Sequence, residues 1–478
     1  MLEYDLLITL GYLYAAIEVL SIAAALNVVM KGRTAQGTIA WAIALVSFPP
    51  AALPLYLIFG HHRFHGYVSA RRAGKLDINH IAASLAQRAP DIRASFAAHQ
   101  SEIKLLEKLA AMPFTRYNRA DLLIDGEATF GAIFDGIDAA RKYILVQFFI
   151  VHDDRLGRDF QQRLLARAAA GVKIFFLYDD VGSHQLPAAY LETLRAAGVH
   201  THSFKTTRGW LNRFRINFRN HRKIVVVDGT VAFVGGLNVG DEYMGRSRRF
   251  GPWRDTHVRV EGPAVQCIQL AFLEDWYWAT HSVPDLNWEP RPAPTGDMPV
   301  LVLPTGPADD VETCTLFFLL AINSARHRIW IASPYFVPDR QVISALQLAA
   351  MRGVDVRVIL PEKPDHILVW LSSFSFVEET EPFGVKFYRY QPGFMHQKVM
   401  IVDNGVATIG TANFDNRSFR INFEITLLFG DDAFAAEIRQ MLVADMRRCR
   451  EVTARELIEK PLWFQMAVKI ARLMAPVQ

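Results

Sequence analysis

The chain opens with two apolar runs, residues 6–30 and 38–60, each longer than the roughly 20 residues a helix needs to cross a bilayer core. Together they predict a transmembrane helical hairpin over residues 1–62. The start Met1-Leu2-Glu3-Tyr4-Asp5 lacks the basic stretch of a cleaved signal peptide, so the runs are read as an anchor. Glu18 interrupts the first run, where an acid costs on the order of 2.5–3.5 kcal/mol on insertion scales, and it is expected to face the partner helix or a polar group. Pro49, Pro50 and Pro54 interrupt the second run and leave a kinked helix or a re-entrant hairpin as alternatives to a straight span. Lys31 and Arg33 lie in the hairpin loop, whereas Arg63, Arg71, Arg72 and Lys75 follow its exit. The larger basic group predicts a cytoplasmic position for everything downstream. His61, His62 and His65 at the exit are read as headgroup-level residues.

Residues 76–111 then show helical periodicity, and residues 63–111 are assigned to a helical stalk or linker. Beyond it one pattern occurs twice. A helix ends in Ile137-Asp-Ala-Ala-Arg141 or Ile322-Asn-Ser-Ala-Arg326, and an apolar strand follows over residues 143–151 or 329–337. Further strands begin after Gly171 and Gly198 in one copy and after Gly353 and Gly384 in the other, with helices between. This predicts two units, residues 112–281 and 311–455, joined by a proline-rich linker over 282–310 and followed by an amphipathic helix over 456–478. Strands alternating with helices give an α/β fold with a largely parallel sheet covered on both faces. Each unit closes with a hairpin, turning at Asp228-Gly229 or at Asp403-Asn404-Gly405, residue types that tolerate φ > 0. Pairing the units about a pseudo-two-fold axis brings equivalent positions to one interface.

Composition narrows the class. With 51% hydrophobic and 21% charged residues over 478 positions, a disordered or low-complexity chain is excluded, and a net charge of +4 is too small to identify a partner. Cys267, Cys314 and Cys449 form no CxxC pair, which speaks against a disulfide framework or a thiolate zinc site. The histidines show no HExxH spacing, so metal-free chemistry is expected.

The candidate chemistry sits at the hairpins. His221-Arg-Lys223 is followed by Asp228, and His396-Gln-Lys398 by Asp403, giving HxKxxxxD twice at equivalent places. On a strand, residues i and i+2 share a face, so each histidine and lysine is expected to project side by side. An imidazole attacks phosphorus or carries a proton near pH 7, and an ammonium neutralises phosphoryl oxygens. Asp228 and Asp403 complete the catalytic set from the turns, where they are placed to organise the turn or the lysine rather than to move protons. A carboxylate on one imidazole nitrogen would fix the tautomer. Asp255 is the candidate for His221, and Glu424 for His396, each from the histidine's own half.

The chain resembles the phospholipase D superfamily and, within it, the bacterial cardiolipin synthases. The resemblance rests on Asn220 to Gly229, on Gly235-Gly-Leu-Asn-Val-Gly-Asp-Glu-Tyr243, on Met395 to Lys398 with Asp403, and on Gly410-Thr-Ala-Asn413-Phe-Asp-Asn-Arg417-Ser418. Trp253-Arg254-Asp255 and Pro334-Tyr-Phe-Val-Pro-Asp339 add to it. The first copy reads Gly-Gly-Leu-Asn238 where the superfamily commonly has GSxN, and the second has Thr411 in place of the serine. The resemblance implies two tandem α/β/α sandwich units and reversible phosphatidyl transfer between two phosphatidylglycerol molecules, giving cardiolipin and glycerol through a phosphatidyl-histidine. It further implies His221 as nucleophile, His396 as acid and base, Lys223 and Lys398 on the phosphoryl oxygens, and Asn238 and Asn413 in support. No cofactor, metal or nucleic acid is called for. The expected setting is the bacterial inner membrane, crossed by both N-terminal segments, with membrane lipid as partner and phosphatidylethanolamine as a possible second substrate.

Residues 209–222 interleave Trp210, Phe214 and Phe218 with Arg213, Arg215, Arg219 and Arg222, a pattern suited to anionic headgroups. Residues 462–474 have the pattern of an interfacial helix. Phe272, Trp276 and Trp278 are read as core aromatics. Two competing functions are a membrane-tethered hydrolase or nuclease of the same superfamily and a non-catalytic scaffold for anionic lipid. The intact pair of motifs speaks against the scaffold.

Overall fold

The computed structural model describes residues 2–32, 34–60, 64, 67, 90–97, 99–206 and 217–478. They divide into two compact units, Met1–Gly66 with Thr206–Phe218, and Tyr67–Lys205 with Arg219–Gln478.

In the first unit the leading apolar run forms a helix over Leu2–Lys31. Its stretch Tyr4–Lys31, with a mean hydropathy of 1.9, is the one helix among the described residues long and apolar enough to cross a membrane. The second run breaks into Ala35–Ser47 and Pro49–Phe59. Pro49 and Pro50 have no N–H to continue the ladder, so a new helix starts there. At about 1.5 Å per residue the pieces reach roughly 20 and 17 Å, short of a bilayer core of roughly 30 Å. The hairpin is therefore one long helix followed by a broken pair, the interruption that the prolines left open as an alternative to a straight span. Ala25 and Val28 pack against Leu45, Ala52 and Tyr56, and Asn27 donates to the Tyr56 hydroxyl at 2.9 Å. Glu18, expected to face the partner helix or a polar group, is exposed. The exit histidines and the basic residues Arg33, Arg63, Arg71, Arg72 and Lys75 lie outside the described residues, as does most of the segment expected as a stalk. The described part of that stalk forms a helix at Gln100–Ala110.

The second unit is built on one mixed sheet of 16 strands. At its centre Thr115–Ile124 pairs antiparallel with Met298–Thr305. Outward from the first run Thr256–Glu261, Val231–Gly235, Ile224–Val227, Tyr143–Phe148, Lys173–Asp179 and His200–Phe204. Outward from the second run Asn422–Phe429, Val406–Gly410, Val399–Val402, Arg328–Ala332, Asp355–Pro361 and Lys386–Tyr390. Apart from Cys449–Val452, an antiparallel edge strand beyond Lys386–Tyr390 with no counterpart in the first set, the two sequences of strands match step for step, which makes the repeat a pseudo-two-fold arrangement of two α/β units. Only the three outer strands of each set run parallel to one another; the hairpins and central strands are antiparallel. The sheet is thus mixed, not largely parallel, because each unit returns toward the centre through hairpins rather than helical crossovers.

The strand Met298–Thr305 lies in the stretch expected as a linker. Its prolines, Pro299 and Pro304, flank an apolar run, Val300 to Leu303, that is fully buried between its neighbours. Proline normally argues against a central strand because it cannot donate to the ladder, and here it concealed one.

One core joins Ile133, Ile137, Phe160, Leu164 and Leu194 from three helices to Ile144, Val146, Phe176 and Val225 of the sheet. A second joins Phe317, Ile322, Ile343 and Leu346 to Ile329, Ile331, Val356 and Val358. Strands such as Tyr143–Phe148 are buried along their whole length, as coverage of both faces requires. Phe272, Trp276 and Trp278 are buried on the helix Ala264–Thr280, as core aromatics.

Candidate active site

The two HxK segments lie just before the hairpins rather than within a strand. His221 follows the short strand Arg219–Asn220 and precedes Ile224–Val227. His396 follows Phe394–Met395 and precedes Val399–Val402. Each short strand pairs in parallel with a strand of the opposite half, Arg219 and Asn220 with Asn422 and Phe423, and Phe394 and Met395 with Trp253 and Arg254. The His221 amide continues the first ladder by donating to the Phe423 carbonyl at 2.9 Å, and the His396 amide donates to that of Arg254 at 2.8 Å.

This register decides which acid meets which imidazole. The residue after Phe423 is Glu424, and its Oε2 lies 2.9 Å from His221 Nδ1. The residue after Arg254 is Asp255, and its Oδ2 lies 2.9 Å from His396 Nδ1. Glu424 and Asp255 are therefore imidazole partners, but crossed between the halves, opposite to the assignment made from proximity in sequence. A carboxylate on Nδ1 makes that nitrogen the proton-bearing one and leaves Nε2 for chemistry.

Lys223 Nζ donates to the His221 carbonyl at 2.7 Å, and Lys398 Nζ to that of His396 at 2.5 Å. Lys398 Nζ also lies 3.0 Å from His396 Nδ1, so one cation stands against the imidazole edge and disfavours protonation of the ring. All four side chains are buried. Burial pushes the His221 imidazole down to about 4 despite Glu424. Burial and Lys398 hold His396 well below its ordinary value. Burial also lowers the ammonium groups, Lys223 to about 7 and Lys398 to about 8. Burial thus favours neutral imidazoles beside two lysines reluctant to carry their charge, an arrangement that a bound anion relieves.

The two carboxylates are held unequally. Glu424 accepts from the Thr411 hydroxyl at 2.6 Å, the Ser418 hydroxyl at 2.8 Å and the Asn422 amide at 3.1 Å, besides His221. Burial pushes it up, but His221, Lys223 and Thr411 bring it below the usual carboxylate range. Asp255 has its own Thr256 amide at 2.8 Å and the Trp253 indole N–H at 3.4 Å. Burial leaves it above its usual range despite Lys398. The position matching Thr411 in the other copy is Gly236, where a Cβ would come within 2.0 Å of Asp255 Oδ1. The departure from GSxN in the first copy is therefore room made for Asp255.

Asp228 and Asp403 are not at the imidazoles or the lysines. Each sits at φ near +50° in its turn, with φ 52 and 51, at the far end of the hairpin's first strand. The Asp228 carboxylate accepts the backbone amides of Arg141, Lys142 and Tyr143, and that of Asp403 accepts those of Arg326, His327 and Arg328. They tie the hairpin to the start of the neighbouring strand, the turn-organising place expected of them.

Asn238 braces the rim, accepting from the Ile150 amide and donating to the Tyr243 hydroxyl. Asn413 has its amide on the Ser418 hydroxyl, while its side-chain oxygen is buried without a partner. Of the aromatic and basic stretch, residues 209–216 lie outside the described residues. Phe218 and Arg222 are buried, and Arg222 pairs with Asp275 at 2.9 Å, so it braces the core and does not offer itself to headgroups. Arg254 is matched in the same way by Asp445 at 2.8 Å, a pair for which no motif gave a signal. Among the described residues the cluster with metal-ligand composition is His152, Asp154 and Glu242. Its Asp154 is already engaged by the Gly157 and Asp241 amides.

The family model described as "Cardiolipin synthase, PLD-like domain" matches residues 133–250 and 318–446, and one described as "Phospholipase_D-nuclease N-terminal" matches residues 19–61. The chain is 51% identical to Cardiolipin synthase A of Pseudomonas putida strain GB-1 over 98% of both chains. It is likewise 51% identical to that of Pseudomonas entomophila strain L48, over 98% of both. The solved phosphatidylserine synthase of Haemophilus influenzae covers 79% of this chain and 100% of its own with a TM-score of 0.62 at 16% identity, a likeness of fold. The leading apolar helix and these relatives make the chain a membrane-associated enzyme. With its two crossed histidine and carboxylate pairs and its match along nearly the whole length, the chain belongs to the cardiolipin synthase family of the phospholipase D superfamily.

Proposed function

We propose that the chain transfers a phosphatidyl group reversibly between two phosphatidylglycerol molecules, releasing glycerol and forming cardiolipin. The observation that carries this is the pair of imidazoles, each with Nδ1 on a carboxylate of the opposite half and a lysine beside it. His221 is the nucleophile: its partner Glu424 is the better-hydrogen-bonded carboxylate, and a firmly ionised partner stabilises positive charge developing on the ring. The lone pair on Nε2 of His221 attacks phosphorus as the bond to the glycerol oxygen breaks, and protonated His396 gives its proton to that oxygen. His396 then takes the proton of the incoming hydroxyl, whose oxygen bonds to phosphorus as the bond to His221 breaks. Lys223 and Lys398 neutralise the phosphoryl oxygens. The bound phosphodiester also supplies the negative charge that His396 needs to hold a proton.

The proposed setting is the bacterial inner membrane, with the catalytic unit on the cytoplasmic side and more than one N-terminal segment in the bilayer. The helix Leu462–Leu473 supports a second lipid contact, since Leu462, Trp463, Met466, Ile470 and Leu473 are all exposed on it. Product analysis of the purified protein on phosphatidylglycerol vesicles tests the reaction. Cardiolipin with stoichiometric glycerol, lost in His221→Ala, is the expected result. Phosphatidic acid as the sole lipid product would replace transfer by hydrolysis.

A further inference from the structure

The repeat makes the two histidine pockets comparable, and they differ in one conspicuous way. Asp154 and Asp339 cap equivalent helices, accepting from Gly157 and Val342. Four residues before each cap stand Ile150 in the first unit and Tyr335 in the second. Ten residues after the starts of the strands Lys173–Asp179 and Asp355–Pro361 stand Ser183 and Asp365. In the first unit, Ser183 is tied down, donating to the Phe149 carbonyl at 3.0 Å and accepting from the Val151 amide at 3.1 Å. Ile150 beside it is apolar. In the second unit the Tyr335 hydroxyl donates to Asp365 Oδ2 at 2.5 Å, and the His366 amide caps Oδ1 at 2.7 Å. The Asp365 side chain keeps 17% exposure. Among the described residues no lysine or arginine nitrogen forms an ion pair with it; its one ion-pair contact is His366 Nε2 at 3.9 Å. The Arg249 guanidinium donates to the Asp365 backbone carbonyl at 3.3 Å, and the adjoining Phe250 packs on Trp253 and Phe394, the rings that flank His396, which places Asp365 on the His396 side of the site.

We propose that Asp365 and Tyr335 form the subsite that holds the free hydroxyls of the polyol headgroup, first of the departing glycerol and then of the acceptor lipid, beside His396. The inference rests on the phosphatidyl-transfer function proposed above. Because the Tyr335 proton is directed at Asp365, the pair offers the substrate acceptor lone pairs alone. Hydroxyl groups donate to such a surface. Phosphoryl oxygens are repelled by it and directed to Lys223 and Lys398. A site built to accept hydrogen bonds from a hydroxyl discriminates against a molecule lacking it, since its own polar groups are then left unmatched. The pair therefore selects a headgroup with a second hydroxyl over a simple alcohol or water.

The test uses the full-length enzyme on pure phosphatidylglycerol vesicles with ethanol present, so that each phosphatidyl-enzyme partitions between cardiolipin and phosphatidylethanol. The ratio of the two products reports acceptor selection, whatever the rate of the first step. Asp365→Asn is expected to lower cardiolipin relative to phosphatidylethanol about tenfold, and Tyr335→Phe several-fold in the same direction. An unchanged ratio in both variants, with the two products falling together, makes the pair a structural brace and overturns the subsite. A wild-type enzyme that forms neither product overturns the transfer reaction itself, and the subsite with it; one that forms both while the variants keep its ratio overturns the subsite alone.

Discussion

Gly236 and Thr411 hold the same place in the two copies and act in opposite ways: one hydroxyl supports Glu424, whereas the absence of a side chain leaves space for Asp255. A methyl group at 236 has no room, so Gly236→Ala is expected to push Asp255 off His396 and lower kcat roughly a hundredfold, the scale of a misplacement of about 1 Å. Thr411→Ala removes one of four donors to Glu424 and should lower kcat no more than about tenfold, which steady-state kinetics on vesicles will resolve. The ionisations set a pH profile for kcat/KM, which reports the free enzyme. Neutral His221 is required for attack, so activity is lost as pH falls through about 4. Protonated His396 is required as the acid and burial lowers its proton affinity in the free enzyme, so kcat/KM already declines as pH rises above the acid limb. It falls further as the lysines that bind phosphate lose their protons through about 7 to 8. A profile flat from pH 5 to 10 would contradict this assignment. Of these residues the histidines and lysines were legible in the chain, because their spacing is itself the chemistry. The partner of each histidine was not, since it is fixed by two residues of strand pairing between halves, over separations of 203 and 141 positions.

The hairpins carry the motif's aspartates away from the reaction. Asp228 and Asp403 each gather three backbone amides from the loop that starts the adjacent strand, which is a reason for an acid in a turn that has nothing to do with phosphate. Asp228→Asn should keep kcat within about threefold of wild type while lowering stability by about 2 kcal/mol, since a carboxamide replaces only part of the acceptor set. Thermal unfolding and activity measured on the same sample will separate the two effects. A fall in kcat without a loss of stability would return Asp228 to the catalytic set. The elements themselves were largely legible: strand, helix and hairpin follow in the order that the apolar runs imply. Met298–Thr305 was not, because two prolines at its ends imitate a linker. The second apolar run was ambiguous for the converse reason, since prolines at Pro49 and Pro50 divide a length that composition alone treats as a span.

Across the whole molecule, the short strands of each half are completed by the other, so neither half contains a finished site. Each half supplies one imidazole and the carboxylate for the imidazole opposite. That arrangement suits a reaction in which a nucleophile and a proton carrier must face one phosphorus from two sides. At the surface, the proposed lipid contact of the C-terminal helix gives a separate expectation. Trp463→Glu together with Ile470→Glu should weaken binding to anionic vesicles and lower activity on them, while activity on a dispersed short-chain phosphatidylglycerol stays within about twofold. Equal losses on both substrates would assign the helix to folding instead. The most direct test of the mechanism is to find the covalent intermediate. Phosphorus-labelled phosphatidylglycerol is mixed with wild type, His221→Ala and His396→Ala, quenched in neutral detergent within milliseconds to seconds, and the labelled peptide identified. Label on the peptide containing His221 in the wild type, absent from His221→Ala, is the expected result. Label on His396, or rapid cardiolipin formation by His221→Ala with no labelled protein, would contradict the mechanism.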